Sequence, residues 1–226
     1  MSLPHVIVLA TGKGGAGKST IARSLAAHWL STRHKPAVVD ADPQASIASF
    51  HDPEGLMKAI ALKADPEVET VHQSIQELSE RHKPVIVDTA GFRNQTTVMA
   101  AINADLVLIP LKAAAEDVRE AIHMYELIQE LNGTPEREGR PIEAFMVLTM
   151  TTPGTVIARH VRKELEGNGY PLLAAEVTQR VAYPEFSMRG LSPSIVEPDG
   201  AAARDIAALA AEITKKFGTR HVVKAA

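Results

Sequence analysis

The sequence contains no cysteine, which excludes disulfides, thiolate metal sites, cysteine-ligated iron–sulfur clusters and cysteine nucleophiles. It also has little net charge, since 24 Lys and Arg against 27 Asp and Glu leave −3 with histidine neutral. No overall positive field draws the chain to nucleic acid, so any such binding has to come from a local patch. No apolar run approaches the roughly 18 residues of a membrane-spanning helix. The first apolar stretch, in MSLPHVIVLATG, is short, lacks a basic leader and runs straight into glycines, so it reads as a strand and not a signal peptide. There is no internal repeat, no low-complexity segment and no connection long enough for an interdomain linker. The nine histidines are dispersed and form no metal-ligand spacing.

What is present is a chain of 226 residues, 45% hydrophobic, enough for one substantial core. A single domain over 1–226 is expected. Continuous aliphatic runs recur at 6–10, 37–40, 85–88, 106–110 and 145–149, the pattern of strands buried on both faces of a parallel sheet. Helical spacing lies between them: Ile21, Leu25 and Trp29; Val118, Ile122, Tyr125 and Leu131; Ile206, Leu209 and Ile213. Alternating strands and helices predict an α/β fold, a doubly wound, mostly parallel sheet with helices on both faces.

The first strand opens into Gly12-Lys13-Gly14-Gly15-Ala16-Gly17-Lys18-Ser19-Thr20, which fits G-x-x-x-x-G-K-[ST] in the strand-to-helix context that this motif requires. Glycines let backbone N–H groups turn inward, and the following helix adds the positive end of its dipole, so the loop cradles phosphate oxygens. Lys18 is placed to reach the β and γ phosphates and Ser19 to put its hydroxyl on Mg²⁺. PVIVDTAG (84–91) supplies Asp88 at the end of a strand, a Walker B pattern whose carboxylate holds Mg²⁺ through water. Carboxylates at the carboxyl ends of parallel strands, Asp40 and Asp42 in AVVDADPQAS (37–46) among them, emerge on the same sheet edge as the phosphate loop. No guanine-specifying N-K-x-D-like signature is present, so ATP is the expected nucleotide.

The standard motif leaves Lys13 unexplained, and there the sequence resembles a family: KGGAGKS is similar to the deviant Walker A motif of the ParA/MinD ATPases. That resemblance implies that Lys13 reaches across a nucleotide-sandwich homodimer to phosphates held by the other subunit, tying hydrolysis to dimerisation. It also implies that Asp42 orients the attacking water, that Asp40 helps hold the magnesium hydration shell, and that Met150, ending MVLTM, lies near the adenine.

The stretch 178–209 resembles the small plasmid-partition ParA proteins, which lack an extra N-terminal DNA-binding domain; the phosphate loop here begins within a dozen residues of Met1. The cysteine-dependent branches, nitrogenase iron protein and the iron–sulfur scaffold ATPases, are excluded. The tyrosine-kinase branch lacks its tail cluster, because the three tyrosines are scattered. Dethiobiotin synthetase shares the fold but not the Lys13-type loop. MinD is the rival reading, but its membrane-lying helix needs a sustained apolar face. The tail ITKKFGTRHVVKAA is expected to be interrupted by Gly218, so a membrane partner is not expected.

The resemblance therefore implies a slow, dimer-dependent ATPase that binds DNA non-specifically and is released when an adaptor protein stimulates hydrolysis, positioning a plasmid, chromosome or other cargo from a cytoplasmic, nucleoid-associated location. Arg180, Arg189, Lys215 and Lys216 are the DNA-binding candidates, with Arg162, Lys163, Arg220 and Lys224 behind them. The alternatives are a MinD-like membrane-associated positioning ATPase and an ATP-dependent metabolic enzyme on the same fold.

Overall fold

The five aliphatic runs become the centre of one sheet. The computed structural model describes residues 3–52, 54–91 and 94–224, with side chains to 218. Along the chain come β1 (Val6–Thr11), α1 (Lys18–Ser31), β2 (Ala37–Ala41), β3 (Ala61–Ala64), α2 (Val71–Ser79), β4 (Val85–Gly91), α3 (Gln95–Ile102) and β5 (Leu106–Leu111). There follow α4 (Ala115–Asn132), β6 (Glu143–Thr151), α5 (Val156–Gly167), β7 (Val177–Thr178), α6 (Ala182–Ser187), α7 (Pro193–Val196) and α8 (Ala201–Lys224). A short 3-10 turn, Ala48–Phe50, follows β2.

The seven strands pair in parallel in the order β3-β2-β4-β1-β5-β6-β7. After β1 the chain builds one side of the sheet through β4 and then the other from β5 onward. Such a reversal opens a crevice at the carboxyl ends of the strands beside β1, the position where ligands bind in open α/β sheets.

Alternate residues of β1 serve opposite faces. Val6, Val8 and Ala10 pack with α2 to α5 through residues such as Ile75, Ala100, Met124 and Leu165. Ile7 and Leu9 pack with α1 and α8 through Ile21, Leu25, Ile206 and Ile213. Full burial of each large aliphatic side chain contributes about 1.5–3 kcal/mol, so the strand ends that carry the acids sit on a rigid frame.

The tail departs from the sequence expectation. Gly218 does not interrupt it: α8 runs through that glycine to Lys224. A helical glycine costs about 1 kcal/mol relative to alanine, which burial of the adjacent Phe217 offsets. Among the described residues of α8, Ile206, Leu209, Ile213 and Phe217 are buried in the core. Among the described residues no helix is long and apolar enough to cross a membrane. The side chains of Arg220 and Lys224 lie outside the described residues.

Candidate nucleotide site

The phosphate loop leaves β1 at Thr11 and enters α1 at Lys18, with left-handed backbone at Gly15 (φ 75°) and Gly17 (φ 89°). A side chain is strained at both angles. Gly12 is needed for a different reason: a Cβ there would run into the Glu120 side chain of α4. Gly14 faces open space. Ala16 is buried, and its carbonyl accepts a hydrogen bond from Thr149 Oγ1 at 2.9 Å, tying the loop to β6. Lys18, Ser19 and Thr20 form the first turn of α1. Burial pulls the Lys18 ammonium below the usual lysine range, with Asp88 and Asp42 opposing.

The acids converge because β2 and β4 are register partners, with Asp40 opposite Asp88. Their surroundings then separate them. Asp40 Oδ2 accepts from the N–H groups of Ile47 (2.9 Å) and Ala48 (2.8 Å), and Oδ1 accepts from Asp42 N–H at 3.4 Å. Asp40 thus ties down its own loop. Asp42 is half-buried at the start of that loop and accepts from Gln44 N–H at 2.9 Å.

Asp88 is fully buried (0% exposed), and neither carboxylate oxygen has a hydrogen-bond partner of good geometry. Burial pushes its pKa up to about 7; the nearby Ser19 hydroxyl and Lys18 pull it down, and Asp40 and Asp42 push it further up. An orphaned buried carboxylate beside a serine hydroxyl matches the oxygen-only ligand set of a hard divalent cation. The residues present therefore fit Mg²⁺, with Ser19 and Asp88 as its direct or water-mediated partners.

Beside the loop lies a mainly apolar cavity of about 490 Å³ walled by Gly17, Thr20, Met150, Arg180, Tyr183 and Ser187, among others. Met150, next to last in β6, has a left-handed backbone (φ 50°) and is 41% exposed. Its Cε would touch a Cβ placed on Gly17, at 3.7 Å. The dimensions suit a nucleoside next to the phosphates.

Lys13 does not turn inward with Lys18. Its Nζ donates to Asp117 Oδ2 at 2.9 Å, in the first turn of α4. The lysine is 43% exposed and the aspartate 2%. The hydrogen bond and charge of Asp117, helped by Glu116 and Glu120, hold the Lys13 ammonium above its ordinary range. Lys13 borders an open depression of about 1090 Å³ whose other walls include Glu67, Glu116 and Glu120. Sequence reasoning misses Asp117, because an acid in the first turn of a helix reads as an ordinary complement to the helix dipole.

The proposed DNA contacts are not gathered on one element. Arg180 is committed to Asp205, with Nε to Oδ2 at 2.8 Å and Nη2 to Oδ1 at 3.0 Å, and it walls the apolar cavity beside the loop. Arg162 is held by Glu176 at 2.7 Å and by the Leu173 carbonyl at 2.9 Å. Arg189 is exposed just beyond α6 and makes no ion pair among the described residues. Lys215 is exposed on α8, and Lys216 lies 3.7 Å from Glu212 and over the Phe145 ring.

A family model described as the CobQ/CobB/MinD/ParA nucleotide binding domain matches residues 7–193. The chain is similar to Protein ParA of Rhizobium radiobacter, 29% identical over 220 residues that cover 94% of this chain and 97% of that protein. It is also similar to the maintenance of carboxysome distribution protein A of Gloeobacter kilaueensis, 30% identical over 195 residues covering 84% of each. The fold resembles that of a putative plasmid partition protein from Borrelia burgdorferi bound to AMPPNP, with a TM-score of 0.67, 18% identity and coverage of 95% and 99%. The phosphate loop with its extra lysine, the paired strand-end acids and these similarities converge: the chain belongs to the CobQ/CobB/MinD/ParA nucleotide-binding family, on its ParA/MinD side.

Proposed function

We propose that the protein is an ATPase that pairs with a second copy around bound ATP, sits on DNA without sequence preference in that state, and is released when an adaptor stimulates hydrolysis. The observation that carries this reading is Lys13: a cation on the phosphate loop that Lys18 does not replace, held on the rim by Asp117. A lysine directed away from its own phosphate cradle is placed to serve another. Similarity to proteins named for partition and for carboxysome distribution supports cargo positioning in general.

In this mechanism the loop N–H groups and Lys18 hold the β and γ phosphates. Ser19 and Asp88 hold Mg²⁺, which neutralises charge on the phosphate oxygens when bound. Asp42, fixed through its loop, orients the water that adds to the γ phosphorus as the bond to ADP breaks. Lys13 leaves Asp117 on pairing and spreads charge off the partner's transferring phosphoryl group. Positioning supplies most of the catalysis, so turnover without an adaptor is slow.

Asp42→Ala is expected to retain ATP-driven pairing and lose turnover, accumulating an ATP-bound dimer measurable by light scattering after size exclusion. Failure of that variant to pair would assign Asp42 to the interface and not to water. Retention of arbitrary duplex DNA in a gel is expected with a slowly hydrolysed ATP analogue and not without it. Because pairing doubles the cations presented, and each phosphate contact adds about 0.9 to the salt slope, retention should fall steeply with salt. DNA binding indifferent to nucleotide would favour a metabolic enzyme or a membrane-directed relative.

A further inference from the structure

One buried cation is left over. Arg23, on α1 one turn beyond Ser19 and Thr20, is 6% exposed, although nothing in the phosphate chemistry requires an arginine there. Burial lowers its proton affinity, and the charges of Asp88 and Asp40 oppose that effect. Its two terminal nitrogens point to different parts of the protein. Nη2 donates to the Ser46 carbonyl at 2.8 Å, in the loop that begins with Asp42. Nη1 donates to the hydroxyl of Ser187, at the end of α6, in the wall of the nucleoside cavity.

The loop needs such a support. Ala45 adopts a left-handed backbone (φ 48°), which costs a non-glycine residue of order 1–3 kcal/mol and persists only where the surroundings over-determine it. Asp40 holds the far end of the loop through the Ile47 and Ala48 N–H groups, and Arg23 holds the middle. The two segments also meet directly: Gly190, three residues after Ser187, has φ 65° and lies so close to the Phe50 carbonyl that a Cβ would collide with it. The loop through 46–50 and the end of α6 through 187–190 are thus joined by a buried fork inside and a backbone contact outside.

We infer that Arg23 is a positioning residue that makes the nucleoside cavity and the Asp42 loop one mechanical unit, so that a base seated against α6 also fixes the loop that orients water. This rests on the proposed placement of the nucleoside beside Met150 and of Asp42 next to the γ phosphate. Inorganic triphosphate, which fills the cradle and leaves the cavity empty, lacks that effect. Adenosine nucleotides are thereby better activators of the site than their phosphates alone.

The planar fork is what the role demands. Lysine keeps the positive charge but offers a single point donor that cannot span both acceptors. Arg23→Lys therefore separates a strut from a simple counter-charge, and Ser187→Ala removes one arm with the arginine left in place.

The test is amide hydrogen exchange of residues 44–50 with magnesium and either ADP or inorganic tripolyphosphate, with binding followed by calorimetry. In the wild type, ADP should slow exchange there roughly tenfold more than tripolyphosphate does, about the worth of one charge-assisted hydrogen bond. In Arg23→Met, Arg23→Lys and Ser187→Ala the extra protection should vanish at ADP concentrations that calorimetry shows to be saturating for each variant, with the phosphate loop still protected. Full ADP-dependent protection of 44–50 in Arg23→Lys or Ser187→Ala overturns the strut. Equal wild-type affinity for ADP and tripolyphosphate overturns instead the placement of the base.

Discussion

Lys13→Ala is expected to bind Mg-ATP nearly as the wild type does and to hydrolyse it roughly 10³ to 10⁵ times more slowly, the range over which one added cation stabilises a phosphoryl-transfer transition state. Binding survives because the cradle is built from the loop backbone and from Lys18, which is buried at the head of α1. Hydrolysis fails because the missing ammonium is the one held outside the cradle, 2.9 Å from Asp117 and facing the open depression. The loss should appear in kcat at saturating ATP and not in Kd. Loss of affinity with kcat unchanged would make Lys13 an ordinary part of its own subunit's cradle.

Asp88→Asn should have two opposite effects. Turnover should fall about 10³-fold, because a metal acting on phosphoryl oxygens contributes several kcal/mol that depend on its ligand set. The nucleotide-free protein should melt about 2–4 °C higher at pH 8, the shift that roughly 1 kcal/mol produces in a domain of this size. The sign follows from the direction of the shift. Burial raises the Asp88 pKa to about 7, so the folded state favours the neutral acid. The stability that this proton contributes is fully present below the ordinary carboxylate range near 4 and is lost as pH rises through about 7. Asparagine stays neutral throughout, so its advantage should grow between pH 4 and 8 and then level off. Magnesium needs the ionised form, so wild-type Mg-nucleotide affinity should weaken below pH 7, approaching tenfold per unit. A variant that melts lower at every pH would mean that Asp88 is stabilised by partners and not poised for a cation.

The central strands are legible because burial on both faces makes them almost wholly aliphatic, with polar residues only toward their carboxyl ends: VIVLAT, AVVDA and LVLIPL each read as strands without help. The edges are not. The β3 strand, ALKA, is partly exposed and too short to show a period, and β7 has two residues. Helix α5 carries a readable pattern in its buried Ala158, Val161 and Leu165, which sequence reading passed over.

At the site, the phosphate loop and the strand-end acids are contiguous with their elements and therefore visible. The partners that qualify them are remote in sequence: Lys13 and Asp117 are separated by 104 residues, Arg23 and Ser187 by 164, and Arg180 and Asp205 by 25. Nothing in the sequence marks Arg23 among the polar residues of α1, and Arg180, in the loop after β7, reads as a DNA contact until the fold pairs it with Asp205.

Complementation between two inactive variants decides whether Lys13 works on its own nucleotide or on its neighbour's. Lys13→Ala and Asp42→Ala subunits are mixed in equal amounts before ATP is added, and hydrolysis is measured. If the lysine acts across the pair, each mixed dimer contains one whole site, Asp42 from one subunit and Lys13 from the other, and about a quarter of the wild-type rate returns for random two-fold pairing. If the lysine acts within its own subunit, no mixed dimer contains a whole site, and the mixture stays as inactive as its components.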